Sequence, residues 1–89
     1  MAKYKIRIKK SALKELEGIA VKADRRRIVQ RITSLAENPW PQGCQKLSGR
    51  ERYRIGQGPY RIIYSIEQKI LTVFVIKVGH RKDVYRDRR

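Results

Sequence analysis

Residues that commonly give small proteins their chemistry are scarce in this 89-residue chain. Cys44 is the single cysteine, so no intrachain disulfide can form and no oxidising compartment is implied. His80 is the single histidine. With one of each, there is no Cys/His cluster of metal-ligand spacing, and no Ser/His/Asp set is convincing around His80. A Walker loop is missing too: "GQGP" at 56–59 lacks the strand-to-helix context of a phosphate loop and is better explained as a hairpin turn. The sequence therefore calls for no metal and no cofactor. No apolar run approaches the roughly 20 residues of a membrane span. The opening "MAKYKIRIKK" alternates apolar and basic residues where a signal peptide has an uninterrupted apolar stretch, so a cytoplasmic protein is expected.

Acidic residues are the other shortage. Eight Asp and Glu stand against 23 Lys and Arg, a formal charge of +15. Such a surface repels itself and attracts phosphate backbones through Coulomb steering and counterion release, so a polyanionic or acidic partner is expected. The basic residues are spread along the chain, and any patch has to be assembled by folding. Hydrophobic residues at 40% suffice for one core, and the length leaves no room for a second, so residues 1–89 form a single domain.

Hydrophobic periodicity sets the element order. "YKIRI" puts Tyr4, Ile6 and Ile8 on one side and Lys5 and Arg7 on the other, predicting a strand over about 3–9. Ser11 is a candidate N-cap for a short helix with Leu13, Leu16, Ile19 and Ala20 at helical spacing. Asp24 is a second candidate cap, followed by Ile28, Ile32, Leu35 and Ala36 on one face and stopped by Asn38-Pro39. Residues 38–49 read as a loop. "RYRI" and "YRIIYSIE" then form a hairpin, and "ILTVFVIKV", almost wholly β-branched and aromatic, reads as a central strand covered on both faces. The expected fold is α+β: strand, helix, helix, then three strands, with both helices on one face of a four-stranded, mostly antiparallel sheet. Along the hairpin, Tyr60, Ile62, Tyr64 and Ile66 share one side while Arg61, Ile63 and Ser65 share the other. A sheet face or rim bearing several arginines follows.

Arginine, histidine and tyrosine suit RNA. Guanidinium groups bind phosphate bidentately, a tyrosine can stack on a base, and an imidazole can move a proton. "KLSG" at 46–49, "YRIGQGPYRIIY" at 53–64 and "VGHRKDVYR" at 78–86 resemble, in order and spacing, the signature of the RelE/ParE superfamily of bacterial toxins, and "VGHRKDVYR" draws the likeness toward its RelE branch. The resemblance covers nearly the whole chain. It implies a type II toxin, an endoribonuclease that cuts messenger RNA in the ribosomal A site and is held in check by a cognate, acidic, partly disordered antitoxin folding over the basic sheet face. Its partners would be that antitoxin, the ribosome and the messenger.

Carried over position by position, the family's basic cluster falls on Arg54, Arg61 and Arg81, and its aromatic residue on Tyr85. Gly56 stands where the family often has a second basic residue, and Pro59 replaces a common acidic turn residue. Lys46, Arg50 and Arg52 are further candidate RNA contacts. In the mechanism so implied, Arg61 and Arg81 stabilise the pentacoordinate phosphate, Tyr85 stacks on or orients a nucleotide, and Arg54 or His80 assists proton transfer without a metal. Simpler readings stand beside these: Arg54 and Arg61 as ordinary exposed strand residues, Tyr85 as a packing residue, and His80 as a polar residue closing a strand. Two rival functions stand as well, a ParE-like inhibitor of DNA gyrase and a non-catalytic nucleic-acid-binding module.

Overall fold

The computed structural model describes residues 3–47 and 51–84. Strand β1 (Lys5–Ile8) leads into helix α1 (Lys10–Glu17) and helix α2 (Lys22–Ser34). Four strands follow, β2 (Gln45–Lys46), β3 (Arg52–Gln57), β4 (Tyr60–Glu67) and β5 (Thr72–His80), and then a single helical turn, α3 (Arg81–Val84). They form one sheet in the order β1-β5-β4-β3-β2. β1 pairs with β5 in parallel, which the intervening helices allow, and the other pairs are antiparallel. The α+β class and the helical crossover match the sequence expectation. The sheet has five strands where four were expected, because two residues of the 38–49 loop pair with β3. A two-residue strand carries no alternation that a sequence pattern could reveal. Among the described residues, no helix is long and apolar enough to cross a membrane.

Both helix starts differ from expectation. α1 begins at Lys10, ahead of Ser11, with no side-chain cap. The amide of Lys9 still bonds to Val75 O at 2.9 Å as an extension of the β1–β5 pairing, while the Lys9 carbonyl already accepts from Leu13 N. Lys9 thus closes the strand and holds the N-cap position of the helix, with a side chain that has no acceptor to offer the first amides. The face of α1 turned inward carries Ala12 and Leu16, Ile19 is buried just beyond its end, and Leu13 is 40% exposed. In α2 the cap is Val21, and Asp24 lies in the first turn, where a carboxylate opposes the positive end of the helix dipole and pairs with Arg27 at 3.7 Å.

The core lies between the helices and one face of the sheet. Ala12, Leu16, Ile19, Ile28, Ile32 and Leu35 meet Ile55, Ile62, Tyr64, Val73, Val75 and Val78, and burying each large aliphatic side chain contributes about 1.5–3 kcal/mol. Among the described residues, α1 and α2 leave the other face uncovered, and there β5, interior in the strand order, has Phe74 and Ile76 only half-buried. The β4–β5 pairing contains one irregularity: Ile63 pairs with Lys77 but Tyr64 with Val75, leaving Ile76 as an extra residue. Strict alternation would put Val75 and Val78 on opposite faces. The bulge at Ile76 returns both to the core.

Tyr64 is wholly buried, and its hydroxyl donates to Pro39 O at 2.8 Å. Burial, reinforced by Cys44 beside it, pushes the phenol pKa well above the usual tyrosine value, so the group stays a donor. Its ring stacks on Tyr53 with centroids 5.8 Å apart. Tyr64→Phe would leave the Pro39 carbonyl without this donor. The expected loss is about 1–2 kcal/mol, read as a lower urea midpoint at unchanged m-value.

Candidate nucleic-acid interface

The sheet face opposite α1 and α2 is built in rows by the strand register. One row runs Arg7, Phe74, Ser65, Arg52, a second contains Ile63, Arg54 and Gln45, and a third is Gly79, Arg61, Gly56. β1, β3 and β4 thereby bring Arg7, Arg52, Arg54 and Arg61 to one surface. Gln45 was not singled out by sequence reasoning, yet its Oε1 accepts a hydrogen bond from Arg54 Nη2, which ties Arg54 to β2. Arg7 is the other addition. It reads in sequence as the polar side of an edge strand, and only the β1–β5 pairing puts it in register with the arginine rows.

Arg61 and Arg81 converge on the β3–β4 turn. β3 continues through Gly56, so the connection is only Gly58-Pro59, with Gly58 at φ 59 as a tight hairpin turn requires. Arg61 Nη1 donates to Tyr60 O at 2.9 Å and to Gly58 O at 3.2 Å. The Arg81 amide donates to Pro59 O at 2.8 Å as α3 begins. Three successive carbonyls of one turn therefore locate two arginines, 20 residues apart in sequence, at one end of the sheet.

The remaining candidates are placed differently. Because of the bulge, His80 shares the helix-side parity of Ile62 and Val78. It packs edge-on against Tyr60 at 5.9 Å and lines a cleft of about 400 Å³ with Glu15, Ile19 and Lys77. Its Nδ1 accepts from the Lys82 amide at 3.2 Å, holding the first turn of α3. The structure does not bring His80 to the face of Arg54 and Arg61. Lys46 pairs with Tyr53, also on the helix-side parity, and its ammonium meets Glu51 at 3.4 Å. Arg50 and Tyr85 lie outside the described residues.

The end of β5 beyond β1 is secured by α1. Glu15 Oε1 accepts the Val78 amide at 3.0 Å and Oε2 meets Lys77 Nζ at 3.0 Å. This carboxylate fills the hydrogen-bonding role that β1 vacates after Ile8, and it fixes the strand segment leading to Arg81. Glu15→Ala should cost about 2 kcal/mol, as expected for lost hydrogen bonds to a charged group, and should speed hydrogen exchange at the Val78 amide more than at Val73.

The fold is similar to that of small toxins of RelE type. An archaeal RelE–RelB complex from Pyrococcus horikoshii is 31% identical, with a TM-score of 0.78, covering 91% of this chain and 97% of that one. The isolated Escherichia coli RelE toxin is 29% identical, with a TM-score of 0.76, covering 92% and 90%. The toxin-antitoxin complex RelBE2 from Mycobacterium tuberculosis, 23% identical, shares the fold with a TM-score of 0.80 over 91% and 94%. The family model described as the ParE toxin of type II toxin-antitoxin system, parDE, matches residues 6–85. The chain belongs to this family of type II toxins, within the RelE/ParE superfamily. No match to a curated protein was found.

Proposed function

We propose that this toxin is an endoribonuclease that cuts messenger RNA in the ribosomal A site and so arrests translation. The observation that carries the reading is the Gly58-Pro59 turn, whose carbonyls hold the Arg61 guanidinium and the Arg81 amide beside the Arg52 and Arg54 rows of the sheet face opposite α1 and α2. RNA supplies its own nucleophile. The 2′-oxygen bonds to the adjacent phosphorus, the bond from phosphorus to the 5′-oxygen breaks, one proton leaves the 2′-hydroxyl and one reaches the 5′-oxygen. Negative charge accumulates on the non-bridging oxygens between these events, and fixed guanidinium groups stabilise it. Arg61 and Arg81 take this role, Arg52 and Arg54 hold the flanking backbone, and Tyr85 stacks on a nucleotide. Arginine stays protonated and is no ordinary base, so these residues contribute charge and placement. Alignment comes from the ribosome, which holds the messenger in a reactive geometry. No step is assigned to a metal ion.

The natural partner is an acidic antitoxin. Structures such as the Pyrococcus horikoshii RelE–RelB complex hold a related toxin with its antitoxin, and a net charge of +15 suits an acidic, partly disordered chain laid over the arginine face. A ribosome-directed toxin acts in the cytoplasm. The ParE family model gives one specific reason for a second reading, a gyrase inhibitor that cuts no RNA. Primer extension on translating ribosomes separates the two: new messenger ends in the A site support the first, while their absence together with inhibited DNA supercoiling supports the second.

Arg61→Ala and Arg81→Ala, each in a folded protein, should slow single-turnover cleavage of ribosome-bound messenger on the order of a hundredfold, as loss of one transition-state contact does. Losses under about threefold would show that the site is misplaced. His80→Gln should keep the wild-type pH–rate profile between pH 5.5 and 8.5, because its ring faces the helices; a lost acid limb would restore it as a base. Tyr85→Phe should retain more activity than Tyr85→Ala, since stacking uses the ring face and not the hydroxyl.

A further inference from the structure

Arg61 is flanked in its row by two glycines, Gly56 on β3 and Gly79 on β5. Directly paired residues in a sheet have Cβ atoms about 5 Å apart, so both positions adjoin the arginine. At Gly56 the consequence is measurable. A Cβ built there would stand 2.9 Å from Arg61 Nη1 and 3.3 Å from Cζ. The guanidinium therefore lies over β3 in space that only glycine leaves open. In that seat Nη1 is committed to the carbonyls of Tyr60 and Gly58, and among the described residues Nε and Nη2 have no hydrogen-bond partner. Nε–H and Nη2–H form one edge of the planar guanidinium, with two parallel donors that match two oxygens of a single phosphate.

We infer that Gly56 is a positioning residue: lacking a side chain, it seats Arg61 so that Nη1 is anchored on the hairpin turn and the Nε/Nη2 edge is presented to one phosphodiester of RNA. The inference rests on the ribonuclease reading for its biological substrate but not for its geometry. A free arginine loses rotamer freedom when it binds a phosphate. Here the turn carbonyls and the Gly56 gap remove that freedom beforehand, so more of the interaction is realised as binding. A second basic side chain at position 56 would add charge but unseat Arg61. The glycine thus exchanges one cation for the orientation of another.

Gly56 does not occupy the left-handed region of φ, so alanine introduces no backbone strain there, and the amide spectrum of Gly56→Ala should report a native fold. The test uses the ¹⁵N-labelled full chain and a 2′-O-methyl trinucleotide, which cannot be cleaved, at fixed ionic strength. In the wild type the Arg61 Nε–Hε resonance, assigned by its loss in Arg61→Lys, should shift on titration. In Gly56→Ala and Gly56→Ser that shift should need on the order of tenfold more oligonucleotide, the change expected when a bidentate charged contact is lost. The Arg54 resonance should respond alike in all three proteins. Unchanged Arg61 titration in both variants would overturn the inference, and so would an equal response to acetate at the same concentration, which would make the seat a general carboxylate site. Wild-type protein that shows the Gly56-dependent shift but leaves ribosome-bound messenger intact would sink the ribonuclease reading alone.

Discussion

The register between β4 and β5, with its one extra residue at Ile76, is the constraint on which the rest of this molecule depends. Val73, Val75 and Val78 all enter the core, and they can do so only if alternation is interrupted once between Val75 and Val78. Burial of these side chains outweighs the local loss of regular pairing, since each contributes about 1.5–3 kcal/mol. The interruption then propagates along the strand. Gly79 turns to the arginine face and His80 to the helices. One bulge therefore decides both which residue flanks Arg61 and which face the only histidine occupies.

The arginine face illustrates how a strongly basic chain can localise function without concentrating its charge in sequence. Basic residues occur throughout, but the sheet gathers Arg7, Arg52, Arg54 and Arg61 from three strands. Several other cations are occupied elsewhere, Lys77 with Glu15, Arg27 with Asp24 and Lys46 with Glu51, all away from that surface or at its margin. Exposed pairs of this kind contribute little stability. Glu15 differs because it also accepts the Val78 amide, so one partly buried carboxylate stitches α1 to the end of β5 and so to α3.

Hydrogen bonds from side chain and backbone to the Gly58-Pro59 turn give the interface its rigidity. A turn is normally where a sheet is most exposed and least ordered. This one is used as a socket: the carbonyls of Gly58, Pro59 and Tyr60 each accept a donor from Arg61 or Arg81. Glycine at 56 and at 58 serves two different purposes within three residues. Gly58 supplies a positive φ, whereas Gly56 supplies empty space.

Much of the molecule was legible from local pattern. Period-two alternation located Ile62 and Tyr64 on one side of β4 and Arg61 and Ile63 on the other, and helical spacing located Ile28, Ile32 and Leu35, because both periods follow from backbone geometry alone. The α+β class, the crossover and the superfamily followed from those elements and from motifs carried within single segments. Local pattern failed wherever a non-local contact set the outcome. The Lys9 bond to Val75 displaced the start of α1 from Ser11. Pairing with β3 turned Gln45 and Lys46 into a fifth strand. The bulge at Ile76 reversed the parity that strict alternation assigns to His80. Gly56 reads in sequence only as a missing cation. That it is the seat of an arginine five residues later depends on the pairing of two strands, a distance no one-dimensional period contains.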